Sequence, residues 1–385
     1  MLLDLEKWKR LSNILDREEL DGLIVNLTEN VLYFTNWWSF SGCDVAVVLR
    51  DKDPILLVPN LDVDLLENTY VSDVRCYNIE NIDGLFQELN LIGLNGLKIG
   101  IEESFQRLAC AYFPCEVQVP GTLFFEKLRQ HFPYTTFIDA TSIICEMRQE
   151  KSGTEIEQLK IVQKLNEYGI VAAYEACENG ITEIEIQTSL EKATNDAIII
   201  DDFSNMLVRC YAFVNAGKNG ARVISPYKFS SAYHVKKGEF CTIGVSTQAN
   251  GYWSEIMRTF VVGHQPTEEQ EDMFEIINSV NVKTCQIMIP CCDTLAISDT
   301  TNAMVKQTQY AIYHTPSFIH EIGLKLQDYP IWPTSTSLKL ILKLGNYFAI
   351  ESGFYVREMG ALRIKRNVFI QEGGGEIIDS ALNQL

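Results

Sequence analysis

Residues 238–263 read GEFCTIGVSTQANGYWSEIMRTFVVG. Two apolar runs, Phe240–Thr247 and Tyr252–Val262, flank Asn250-Gly251. Asn-Gly between two such runs predicts a two-residue hairpin, because both central residues of a type I′ turn need positive φ. With those residues as the turn, Ala249 pairs with Tyr252 and Ser246 with Glu255. Side chains alternate along a strand, so Gly244, Trp253, Glu255 and Met257 are expected on one face. Glu255 is then a carboxylate on an otherwise apolar face. Burying such a group requires a cation or hydrogen-bond donors. Arg258 or a nearby Lys would make it an ordinary strand-end ion pair. A functional centre is the other explanation, and the hairpin alone leaves both open.

The chain has 385 residues, enough for two domains. Its net charge of −19 argues against a nucleic-acid or anionic-membrane surface, which needs clustered Lys and Arg. Small cationic or zwitterionic ligands are compatible with that charge. The eleven cysteines are scattered, with only Cys291-Cys292 adjacent. The first residues, MLLDLEKWKRL, are amphipathic and charged rather than a secretory leader. Free thiols in a reducing cytoplasm are therefore expected, most of them small core residues. No apolar run is long enough to span a bilayer.

Short β-rich runs alternate with helical ones through the first part of the chain. A helical rhythm over 3–20 precedes strands at Gly22–Asn26, Asp44–Leu49, Ile55–Val58, Val74–Ile79, Lys98–Glu102 and Thr136–Ile138. Helices are expected near 61–68, 82–89 and 121–131. Such alternation predicts an α/β domain with a mixed sheet. The aromatic loop Thr35–Gly42 is either a buried loop or a wall for a ligand. The polar segment Met147–Thr154 marks a boundary, giving domains 1–146 and 147–385. Beyond it, helices are expected near 154–178, 182–197, 267–288 and 294–309. A strand is expected at 207–215, and the last third is β-rich.

The hairpin resembles that of the creatinase / prolidase / aminopeptidase P family. Its Gly251, Tyr252, Ser254, Arg258 and Thr259 match the family pattern Gly-Tyr-x-Ser-Asp-x-x-Arg-Thr, with Glu255 at the Asp position. Arg148-x-x-Lys151-Ser152-x-x-Glu155-Ile156 resembles the opening of the family's catalytic domain. The resemblance covers nearly the whole chain. It implies an N-terminal creatinase-type α/β domain followed by a pita-bread domain, and a homodimer.

In the family's peptidases two Asp, one His and two Glu hold two divalent cations. The resemblance carries these positions onto Gly244, Glu255, His320, Glu351 and Lys365. One ligand is thus deleted and one is reversed in charge. A salt-bridged cluster of Lys365 with Glu255 and Glu351, including His320, is the expected arrangement. On this reading no cofactor is expected; a single ion, if held, would use Glu255, His320 and Glu351. The family's two further histidines fall on Tyr227 and Gln327. These two, with Trp38 and Arg363, are the candidate substrate contacts. His234 is expected to be a surface residue.

Three functions are consistent with these positions. The first is a metal-independent hydrolase or lyase of a C–N bond in a small nitrogen-rich or amide substrate. His320 would move protons there, Glu255 or Glu351 would position substrate, and Lys365 would stabilise negative charge. The second is a catalytically inactive pita-bread binding protein. The third is an atypical mononuclear Xaa-Pro peptidase. A small molecule or short peptide is the expected ligand in each.

Overall fold

The computed structural model describes residues 4–66, 69–104, 122–200, 206–222, 229–314, 318–328, 340–380 and 382–384. The chain divides into two compact units, Met1–Ser152 and Gly153–Leu385.

The first unit contains helix α1 (Leu5–Arg17), strand β1 (Gly22–Val25), helix α2 (Thr28–Thr35) and strands β2 (Val45–Leu49), β3 (Ile55–Pro59) and β4 (Asp73–Tyr77). Helix α3 (Ile82–Ile92), β5 (Lys98–Ile101), α4 (Thr122–His131), β6 (Thr136–Asp139) and α5 (Thr141–Gln149) follow. The six strands form one mixed sheet in the order β4-β3-β2-β1-β5-β6. Strands β1 and β2 are antiparallel, while β1 is parallel to β5 and β5 to β6. Parallel pairing needs a crossover, and α2 with the β2–β4 segment supplies chain for one. Leu57, Phe86, Leu89, Ile99, Phe125 and Phe132 belong to the core of this unit.

The expected strands are all present. The helix expected near 61–68 is only a 3₁₀ turn at Val63–Leu65 among the described residues. Helices α2 and α5 were not expected. In Thr28–Thr35 the last six residues are all buried, polar Asn30 and Thr35 included, so it shows no amphipathic stripe.

The second unit opens with α6 (Gly153–Glu175) and α7 (Glu183–Ile200). Strands β7 (Val208–Ala216), β8 (Phe240–Ala249) and β9 (Tyr252–Val261) precede α8 (Glu268–Ile287) and α9 (Thr294–Lys306). Strands β10 (Phe318–Glu321), β11 (Tyr347–Val356), β12 (Gly360–Gln371) and β13 (Gly374–Ile377) complete it. The sheet runs β10-β11-β12-β9-β8-β7, with β13 on β12. Helix α8 begins with a capping box in which Thr267 and Gln270 satisfy each other's backbone donors. Apolar clusters lie on the α6–α7 side and on the α8–α9 side of the strands.

The hairpin has the expected register. Asn250 and Gly251 both have positive φ, Ala249 faces Tyr252, and Ser246 faces Glu255. Gly244 faces Met257, which faces Lys365, which faces Glu351. Phe318 lies opposite Glu351, and Phe213 opposite Gly244. Directly paired residues share a face of an antiparallel sheet. One row of side chains therefore crosses β7, β8, β9, β12, β11 and β10.

Candidate active site

Four strands deliver the central side chains to that face. Glu255 comes from β9, His320 from β10, Glu351 from β11 and Lys365 from β12. All four are nearly inaccessible, at 1, 5, 6 and 4% exposure respectively. Lys365 Nζ lies 2.7 Å from Glu255 Oε1 and 3.1 Å from Glu351 Oε2. Arg363, two residues before Lys365 and so on the same face, donates from Nε to Glu351 Oε1 at 2.6 Å. Its guanidinium also approaches the Tyr355 ring, 5.8 Å from the centroid. Two carboxylates thus meet two cations.

Charge balance is what makes this burial tolerable. Burial alone would lower the Lys365 ammonium below its usual range; the charges of Glu255 and Glu351 outweigh it and hold it above. Arg363 shows the same opposition, with Glu351 foremost among the groups that raise it. Lys365 therefore stays an ammonium across the neutral range.

His320 Nδ1 is 3.3 Å from the Glu321 carbonyl. That partner keeps the ring proton on Nδ1 and turns Nε2 toward Glu255 Oε2, 3.7 Å away. The expected cluster of Lys365, Glu255, Glu351 and His320 is therefore brought together.

The other candidates fall differently. Arg363, expected as a substrate contact, is bound to Glu351. Gln327 is half-buried in the turn after β10 and makes no hydrogen bond to the cluster among the described residues. Trp38 is half-buried in a loop of the first unit. Tyr227 lies outside the described residues. Arg258 does not pair with Glu255. It meets Asp379, and its Nη1 donates to the Lys365 carbonyl at 2.8 Å. His234 is exposed, with Nδ1 beside the Gly180 carbonyl.

Phe213 was not singled out from sequence, yet it decides what position 244 can carry. A Cβ built on Gly244 would meet Phe213 Cε1 at 2.2 Å. The ring, itself 4% exposed, occupies the volume a larger residue would need. The only sequence signal was indirect: a large aromatic on the strand expected beside a glycine.

The mixed first sheet and the second sheet, with Glu255 and Glu351 on one face, define a two-domain fold of the pita-bread class. The sequence model described as metallopeptidase family M24 matches residues 157–372, and that of the creatinase/prolidase N-terminal domain matches residues 7–149. The chain belongs to this metallopeptidase family. It is 22% identical to the Xaa-Pro dipeptidase of Pyrococcus horikoshii, across 99% of this chain and 98% of that one. It is 23% identical to the Xaa-Pro dipeptidase of Pyrococcus furiosus, across 99% of each. Among solved structures, the prolidase from Pyrococcus horikoshii superposes with a TM-score of 0.77 at 21% identity, covering 98% of this chain and 99% of that one. The X-Pro aminopeptidase from Thermotoga maritima gives 0.78 at 20% identity, covering 98% of each.

Membership corrects the expectation that no cofactor is used: a divalent metal ion is what this family points to. The side chains available to it here are Glu255, His320 and Glu351. They do not fit a two-ion centre as they stand. Lys365 lies against one oxygen of each carboxylate, and the Phe213 ring fills the space at Gly244. Among the described residues, no group of three or more His, Cys, Asp and Glu is placed to hold a metal ion.

Proposed function

We propose that this protein cleaves a C–N bond in a small amide or short-peptide substrate at the Glu255–His320–Glu351–Lys365 cluster. The observation that supports this reading is His320 Nε2 facing Glu255 beside two cations. His320 takes the proton of the attacking water, and Glu255 stabilises the imidazolium that forms. Lys365 and Arg363 balance the negative charge that develops on the carbonyl oxygen. His320 then returns the proton to the departing nitrogen. Arg363 is the more open of the two cations, its side chain 19% exposed against 5% for Lys365, so substrate approaches from its side. Tyr227 and Gln327 are the proposed substrate contacts within this unit. The protein is further proposed to act in the cytoplasm as a homodimer.

A second reading, ligand binding without turnover, has its own support. Lys365 and Arg363 already balance both carboxylates inside a buried cluster, an arrangement that needs no reaction to explain it.

One experiment separates the two. Purified protein, untreated or supplied in turn with manganese, cobalt and zinc, is incubated with Xaa-Pro dipeptides and small N-substituted amides. Products are read by mass spectrometry. New products that vanish in His320→Ala support cleavage. A raised melting temperature without products supports binding alone. Neither products nor a shift with any compound contradicts both.

A further inference from the structure

Two rings stack on the face of the second sheet that carries the cluster. The ring centroids of Tyr211 and Trp253 are 5.9 Å apart and their planes are inclined by 23°. The two residues stand on β7 and β9, the strands on either side of β8. Strands two apart are separated by about 10 Å, so the rings meet only by leaning over β8. The register allows this. Tyr211 lies opposite Ser246 and Trp253 opposite Gln248, neither of which is bulky and apolar. An aromatic pair made for the core would be sunk into it. Here Tyr211 is 41% exposed and Trp253 is half-buried. Ser246 also lies opposite Glu255, so Tyr211, Ser246 and Glu255 form one cross-strand row. Trp253 precedes Glu255 by two residues and shares its face, about 7 Å along the strand. The Trp253 N–H donates to the Gly323 carbonyl at 2.8 Å, tying this part of β9 to the turn that carries Gln327.

We infer that the Tyr211–Trp253 stack is a specificity subsite that receives an aromatic side chain of the substrate, next to the bond that reacts. The inference rests on the Glu255–His320–Glu351–Lys365 cluster being where substrate is held. Strands β9 and β12 are antiparallel, with Trp253 two residues before Glu255 and Arg363 two residues before Lys365. The rings and Arg363 therefore extend from the cluster in opposite directions. A substrate that enters beside Arg363 and crosses the cluster carries its far group onto the rings. A partly open stack offers a flat apolar surface, on which a third ring gains offset or edge-to-face contact that a methyl group does not. Arg209 sets the charge of the occupant. It lies two residues before Tyr211 and opposite Gln248, hence on the same face, and is exposed, with Nη1 donating to the Val208 carbonyl at 3.2 Å. A cationic side chain placed on the rings would meet this like charge, so a neutral ring is the group that fits.

Titration calorimetry with the dipeptides Phe-Ala, Ala-Phe and Ala-Ala tests this, on the full-length protein carrying His320→Gln so that turnover adds no heat. At least one phenyl-bearing peptide should bind about five-fold more tightly than Ala-Ala. Adding Trp253→Ala should abolish that preference, and Trp253→Phe, which keeps a ring, should restore it. No binding of any peptide, equal binding of all three, or a preference that survives Trp253→Ala would overturn the inference. If Trp253→Ala does not fold, Tyr211→Ala, at the more open ring, is read in the same way. Wild type incubated with the same peptides is assayed for products by mass spectrometry. A ring preference without products upholds the subsite and counts against cleavage. Products without a ring preference uphold cleavage and overturn the subsite.

Discussion

Lys365 Nζ lies 2.7 Å from Glu255 Oε1, with both side chains at 5% exposure or less. The two come from strands that adjoin through Met257 and Lys365, so the sheet itself sets their approach. Truncating the cation leaves two carboxylates buried. Lys365→Met should destabilise the protein by about 3–5 kcal/mol in urea unfolding at pH 7. Lys365→Met with Glu255→Leu, which leaves the Arg363–Glu351 pair in place, should recover most of that loss. The folded ammonium titrates above its usual value, so the wild-type pair should hold its stabilisation through neutral pH and lose it only in strong alkali.

Gly244 and Phe213 form a matched pair. Gly244→Ala places a methyl group into the Phe213 ring and should cost about 1–3 kcal/mol. Shortening the ring as well, with Phe213→Leu, should make the same alanine less costly than it is alone. An equal cost in both backgrounds, measured by urea unfolding, would show that the ring does not set the residue at 244.

Asp379 holds two arginines from behind the sheet, Arg258 and Arg366. Arg258 in turn donates to the carbonyls of Met257 and Lys365, the pair that joins β9 to β12. Asp379→Ala should destabilise by about 3–5 kcal/mol, because it strands two buried guanidinium groups. It should also lower any cleavage activity without touching a side chain of the cluster. Thermal unfolding and product formation, measured on the same preparation, check both.

Glu102 is fully buried and accepts from the backbone of Asn26 and Leu27 and from Asn30 Nδ2. Burial pushes its carboxyl up to about 7 against those donors. Its folded value exceeds the unfolded one, so it costs stability as pH rises from about 4.3 through about 7, and no more above. Glu102→Gln should flatten that part of the stability–pH curve, as followed by urea unfolding at pH 5, 6, 7 and 8.

The hairpin register and most strands were legible because each has a local pattern; the joint placement of Glu255, His320, Glu351 and Lys365 came from the family resemblance alone. Asn250-Gly251 fixes one turn, and alternation from that turn fixes every face along β8 and β9. Partners brought in from distant strands have no such signal. Asp379 and Phe213 act across the sheet, and nothing near them in sequence says which residue they meet. Of the two partners open to Glu255 from sequence, Arg258 or a nearby Lys, alternation puts Arg258 on the opposite face, and Lys365 is the one that pairs. The cofactor expectation rested on counting ligands at single positions, and the family to which the whole chain belongs corrects it.

The proposed chemistry is tested most directly by the rate of C–N bond cleavage in wild type and in His320→Gln, each supplied with the same divalent cation and the same Xaa-Pro dipeptide or amide. Loss of a positioned proton carrier should lower the rate by about 10²–10⁴-fold while leaving the fold intact by circular dichroism. Equal rates in the two proteins, or no cleavage by wild type of any compound that raises its melting temperature, would contradict it.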